Sequence, residues 1–143
     1  MLPAVERYDG PCYRVLRRFV RECPTEAHRL VIRILSAEFG LLPADQLIPT
    51  YNRRMTPQRA AELQPRVLAH LRQLLRRGDY EAVFISAGEL YRRTLQGFER
   101  YVPACTAVSV SAGAPGRMQA ELYAWLRGTC PPSRVTPSLG LKV

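Results

Sequence analysis

The chain has 143 residues, 47% of them hydrophobic and 23% charged; this fits one domain with a core needing no disulfide or metal staples, and excludes wholesale disorder. No run of about 18 apolar residues occurs, so no membrane-spanning helix is expected, and Met1-Leu2-Pro3-Ala4-Val5-Glu6-Arg7 lacks the layout of a secretory signal, which predicts a cytoplasmic protein. The formal net charge is +9, with Lys142 the one lysine among 21 basic residues; a high-GC genome explains arginine over lysine but not the excess of bases over acids, so a polyanionic partner is a candidate.

Asp9-Gly10-Pro11 reads as a helix entry, with Asp9 as N-cap and a proline tolerated in the first turn. The helix then runs from Cys12 to Glu22, with Val15, Leu16, Phe19 and Val20 as its apolar stripe, and ends before Pro24. Leu30-Val31-Ile32-Arg33-Ile34-Leu35 has the β-branched composition of a buried strand. Ser36 to Pro43 and the irregular stretch through Met55 follow as a long loop, a frequent home of function. Thr56-Pro57 starts a helix carried by Ala60, Leu63, Val67, Leu71 and Leu74/Leu75 to a cap at Gly78, with a kink or break expected at Pro65. Ala82 to Ser86 is the second strand, followed by a helix through Leu90, Leu95 and Phe98. Thr106 to Val110 is the third strand. Ser111-Ala112-Gly113-Ala114-Pro115-Gly116 then opens a last helix through Met118, Leu122, Trp125 and Leu126.

The order α-β-α-β-α-β-α predicts a Rossmann-like three-layer α/β sandwich. Its sheet is small and mainly parallel, of about three strands; the single domain occupies residues 1–128, and 129–143 form a fraying tail rich in Pro and Ser.

In such a sheet the turns Ser36-Ala37, Ser86-Ala87-Gly88 and Ser111-Ala112-Gly113 share the edge at which open α/β sheets bind ligands. Candidate ligand-binding residues there are Ser36, Gly40, Gly88, Gly113, Gly116 and Arg117, together with Tyr51, Arg53, Arg54 and Tyr91. Glycines admit a ligand to the backbone, and Arg53 and Arg54 form a candidate anion clamp. Glu38 is the candidate general base, its alternative being a solvated loop acid. The Gly113–Gly116 loop matches neither the Walker pattern nor Gly-x-Gly-x-x-Gly. Cys12, Cys23, Cys105 and Cys130 form no Cys-x-x-Cys pair, so no metal site is expected and none of the motifs implies a cofactor.

Leu35-Ser36-Ala37-Glu38-Phe39-Gly40-Leu41-Leu42-Pro43 and Ile48-Pro49-x-Tyr51-x-Arg53-Arg54-Met55-Thr56, with Tyr8-Asp9-Gly10-Pro11, Gly88-x-x-Tyr91 and Gly113-x-x-Gly116-x-Met118, carry a resemblance over residues 3–127. They resemble an uncharacterised bacterial domain family distantly similar to the YaaA-like peroxide-stress proteins. The resemblance implies a Rossmann-like domain and an association with DNA binding and oxidative-stress protection. It also implies an extra first strand ending in a Ser-x-x-Lys-like turn; this chain starts at the residues that would follow it, so an upstream extension or a reduced, catalytically inert form is expected. The expected partner is therefore DNA, RNA or a phosphorylated small molecule. Alternatives are an enzyme acting on a nucleoside or nucleotide, and a module that docks an acidic protein.

Overall fold

A computed structural model of the chain describes residues 1–111, 113–128 and 136–139. In chain order its elements are β1 (Leu2–Pro3), α1 (Ala4–Arg7), α2 (Pro11–Glu22), α3 (Pro24–Ala27), β2 (Leu30–Ser36), β3 (Gly40–Pro43), β4 (Leu47–Ile48), α4 (Pro57–Arg77), β5 (Ala82–Ser86), α5 (Glu89–Arg93), a 3-10 turn (Phe98–Tyr101), β6 (Ala107–Ser111), α6 (Pro115–Gly128) and β7 (Thr136–Leu139).

The sheet departs from the expected three-stranded, mainly parallel Rossmann-like one. Five strands form one mixed sheet in the order β3-β2-β7-β5-β6, and β1 and β4 form a separate antiparallel pair. Two local causes account for the difference. Residues 37–39 are too few for a crossover to a parallel strand, which takes a dozen or more residues, and Gly40 adopts φ +74°, so the chain turns back on itself. Leu35 then faces Leu41 and Ser36 faces Gly40 in an antiparallel hairpin. The second cause is β7, drawn from the segment read as a fraying tail. It lies parallel to both β2 and β5, with Ile32 and Phe84 both opposite Ser138. The stretch from Ser36 to Met55 is thus structured by β3 and β4 rather than irregular throughout.

Alternation along the strands feeds two apolar clusters. Leu35, Val83 and Ile85 point to one face and pack with Leu63, Val67, Leu71 and Leu75 of α4 and with Tyr91, Leu95 and Phe98. Ile34 and Phe84 point to the other, toward Tyr13, Leu16 and Phe19 of α2 and Leu122, Trp125 and Leu126 of α6; the Phe84 and Trp125 rings are 5.2 Å apart. The buried stripe of α2 is therefore Tyr13, Leu16 and Phe19, while Val20 is exposed. Asp9 does not cap α2. Gly10 holds that position, and the Asp9 carboxylate accepts from Arg14 and from Arg17 instead.

Helix α4 starts as its N-terminal residues dictate, with Thr56 Oγ1 accepting from the Arg59 amide at 3.0 Å. It runs through Pro65 without a break. Pro65 and Ala61, whose carbonyl loses its amide partner, both sit on the exposed side, where water can take over. After β5, Gly97 at φ +89° stops the helical path and the chain continues as the 3-10 turn, so the single helix expected through Phe98 is divided. Among the described residues no helix is long and apolar enough to cross a membrane.

Candidate functional site

The two ends of one strand pair assemble the site. Leu2 opposite Ile48 and Pro3 opposite Leu47 join the N-terminus to the segment before Tyr51, and the amides of Ala4 and Val5 donate to the carbonyls of Gln46 and Ala44. Arg17 of α2 fastens the turn after α1 by donating to the carbonyls of Val5 and Tyr8, both at 2.9 Å. Tyr8, 43 positions from Tyr51 in sequence, is thereby hydrogen-bonded to it hydroxyl to hydroxyl.

Ser36, at the C-terminal end of β2, completes this group. Its Oγ lies 2.8 Å from the Tyr51 hydroxyl and accepts from the amides of Glu38 and Phe39, both at 3.1 Å. Ser86, at the same end of β5, is fully buried, with the Cys12 sulfur 3.7 Å from its Oγ. The rings are close: Tyr8 and Tyr13 centroids are 5.5 Å apart, and Phe39 meets Tyr51 edge-on at 5.3 Å. Burial pushes the phenols of Tyr8 and Tyr13 well above the usual tyrosine range, so both stay protonated.

Tyr8 and Tyr51 also line a cavity of about 470 Å³, together with Arg7, Thr50, Asn52, Arg53 and Arg54. Arg7 is held in place by Thr50 Oγ1 at 2.9 Å and the Ile48 carbonyl at 3.3 Å, and its Nε is buried without a partner among the described residues. Arg53 pairs with Glu38 at 3.3 Å. Arg54 has no hydrogen bond or ion pair to the described residues and is exposed. Among the described residues no carboxylate lines the cavity.

Of the candidate ligand-binding residues, the structure unites Ser36, Tyr51, Arg53 and Arg54. Glu38 stays outside the cavity; its carboxylate neutralises Arg53 and its backbone is bound by Ser36 and by Arg59, which also donates to the Ala37 carbonyl at 2.7 Å. Gly40 makes the hairpin turn, with the Arg66 guanidinium packed over it. Gly88 precedes α5, and Tyr91 is buried with the apolar cluster beneath α4. Gly113, Gly116 and Arg117 sit at the start of α6 and do not line the cavity; Arg117 pairs with Glu121 at 2.8 Å.

Sequence reasoning missed Arg7, Thr50 and the joining role of Tyr8, whereas Asn52 lies within the Tyr51-Asn52-Arg53-Arg54 run read as able to reach the site. The signal available for Tyr8 was its place just ahead of the Asp9-Gly10-Pro11 helix entry. Among the described residues no three of His, Cys, Asp and Glu gather as metal ligands. Cys12, Cys23 and Cys105 form no disulfide among the described residues, and Cys130 lies outside them.

A second electropositive surface runs along α4. Arg66, Arg72, Arg76 and Arg77 are exposed and meet no carboxylate among the described residues, and from Gln64 to Arg77 the helix carries no acid. Two hollows flank it. One, about 420 Å³, is lined in part by Arg33, His70 and Arg77; the other, about 430 Å³, includes Arg72, Arg76 and Tyr101. The guanidiniums of Arg72 and Arg100 lie 5.5 and 5.2 Å from the centre of the Tyr101 ring.

Residues 1–123 match the model of a family of unknown function, DUF6884, and the chain belongs to that family. No curated protein and no solved structure matches it.

Proposed function

Starting from a family that brings no activity with it, we propose that this protein binds nucleic acid or a nucleotide, with the cavity over Tyr8 and Tyr51 as the specific site and the α4 arginines as a phosphate track. The observation that carries this reading is the cavity's lining: three guanidiniums and two tyrosine hydroxyl groups, with no carboxylate among the described residues there. Its volume of about 470 Å³ falls within the roughly 300–1,000 Å³ of small-ligand sites. Guanidinium forks suit phosphate oxygens, and tyrosine faces suit bases and sugars. The exposed, carboxylate-free arginines of α4 add sequence-independent attraction to a phosphate backbone.

Fluorescence anisotropy with single- and double-stranded DNA and RNA oligonucleotides, across about 50 to 200 mM salt, tests the reading. Micromolar or tighter binding that weakens steeply with salt is expected. Replacing Arg72, Arg76 and Arg77 together with Gln should flatten the logarithmic salt dependence on duplex DNA by roughly 0.9 for each phosphate no longer neutralised. Absence of binding to every oligonucleotide at the lowest salt, and to mononucleotides titrated alongside, overturns the reading.

A further inference from the structure

Counting protons in the hydroxyl group that includes the cavity residues Tyr8 and Tyr51 narrows the ligand. A serine hydroxyl has one proton to donate and two lone pairs to accept with. Both lone pairs of Ser36 Oγ are taken by the amides of Glu38 and Phe39, so Ser36 enters the tyrosine group as a donor only. Two bonds, Ser36 to Tyr51 and Tyr8 to Tyr51, hold three hydroxyls together. Those bonds consume two of the three protons. The third remains on Tyr8 or on Tyr51, whichever way the two tyrosines share theirs, and both residues line the cavity.

The rest of the lining is equally rich in donors. Thr50 Oγ1 accepts from Arg7, which leaves its own proton to give. Arg7 and Arg54 have no carboxylate among the described residues to neutralise them, and Arg53 shares Glu38 at 3.3 Å. A ligand here must bring acceptors and negative charge. We infer that the cavity seats the terminal phosphate of a nucleotide or of a nucleic-acid end, with the spare phenolic proton and the guanidiniums of Arg7 and Arg54 as its partners.

Acceptor count and charge favour a phosphomonoester over an internal phosphodiester. Tyr8 and Tyr51 of the hydroxyl group line the cavity together with Arg7, Arg53 and Arg54, so a ligand meets several donors at once. A diester, with a sugar on each side, presents two free oxygens and one charge. A monoester presents three and carries about −1.5 to −2 at neutral pH.

This inference rests on the nucleotide-binding reading, and the test separates the two. Otherwise identical oligonucleotides with a 5′-phosphate, a 3′-phosphate or neither are titrated against the wild-type chain and two variants. One is Arg54→Ala, an exposed residue whose loss leaves the fold intact. The other is the double variant Tyr8→Phe/Tyr51→Phe, because either tyrosine alone inherits the spare proton when the other is removed. The wild type should bind one terminally phosphorylated form at least about tenfold more tightly than the unphosphorylated one. Inorganic phosphate should compete for that increment. Both variants should lose most of the preference while keeping the binding common to all three oligonucleotides. Equal wild-type binding of all three, or a preference unchanged in both variants, overturns the inference and leaves the nucleic-acid reading standing. Failure of every oligonucleotide and mononucleotide to bind overturns both.

Discussion

Replacing Ser36 with Ala tests whether the hydroxyl group is a structural unit. Ser36 Oγ is buried and makes three hydrogen bonds: from the Glu38 amide, from the Phe39 amide and to the Tyr51 hydroxyl. At about 1 kcal/mol net for each bond the loss is about 3 kcal/mol. The two amides belong to half-buried residues, and water recovers part of theirs, which puts the expected cost at about 2–3 kcal/mol. For a chain of this length that is a fall in Tm of roughly 8–12 °C, at about 4 °C per kcal/mol. Urea unfolding followed by circular dichroism measures the difference directly. The double cycle with Tyr51→Phe isolates the hydroxyl pair, for which a coupling of about 1 kcal/mol is expected. A loss under about 0.5 kcal/mol, the range of an ordinary surface change, would refute the account of Ser36 as the hub of the turn.

Gly40→Ala forces a side chain into φ +74° at the hairpin and against the Arg66 guanidinium; a loss of roughly 1–2 kcal/mol is expected in chemical denaturation, and an unchanged midpoint would show that the turn relaxes into another form. The tyrosines predict an alkaline limit. Because burial raises the folded phenols of Tyr8 and Tyr13 above the ordinary value near 10, their contribution to stability is complete below about pH 10 and is lost as pH rises through the folded values. Ultraviolet titration of tyrosinate should show these two phenols ionising only as the chain unfolds. Titration of all seven tyrosines together near pH 10, in a chain still folded, would contradict their burial.

Much of the secondary structure follows from local chemistry. Thr56 followed by Pro57 places the start of α4 because a threonine oxygen and a proline ring satisfy the needs of a first helical turn. Ala82 to Ser86 reads as a strand because its β-branched and aromatic side chains suit a surface buried on both sides, and β5 has those bounds. The Ser36, Tyr51, Arg53 and Arg54 part of the site was legible as well, since all four flank one strand end or its following loop.

Other features depend on partners distant in sequence. No local pattern marks Thr136-Pro137-Ser138-Leu139 as a central strand, and Pro137, which has no N–H to give a ladder, argues against one. Its place exists only because β2 and β5 stand apart by one strand's width and offer it a parallel partner on each side. The cavity is the same kind of property. Tyr8 lies just ahead of the helix entry at Asp9-Gly10-Pro11 and Tyr51 in a loop among the ligand-binding candidates, and neither has an apolar periodicity that would align them. The composition alone determined that the protein is basic and able to form a mixed helix-and-strand core. That two phenols 43 positions apart share a proton chain with Ser36 was decided by the β1–β4 pairing, because a hydrogen bond requires proximity, and proximity across that separation comes only from the folded chain.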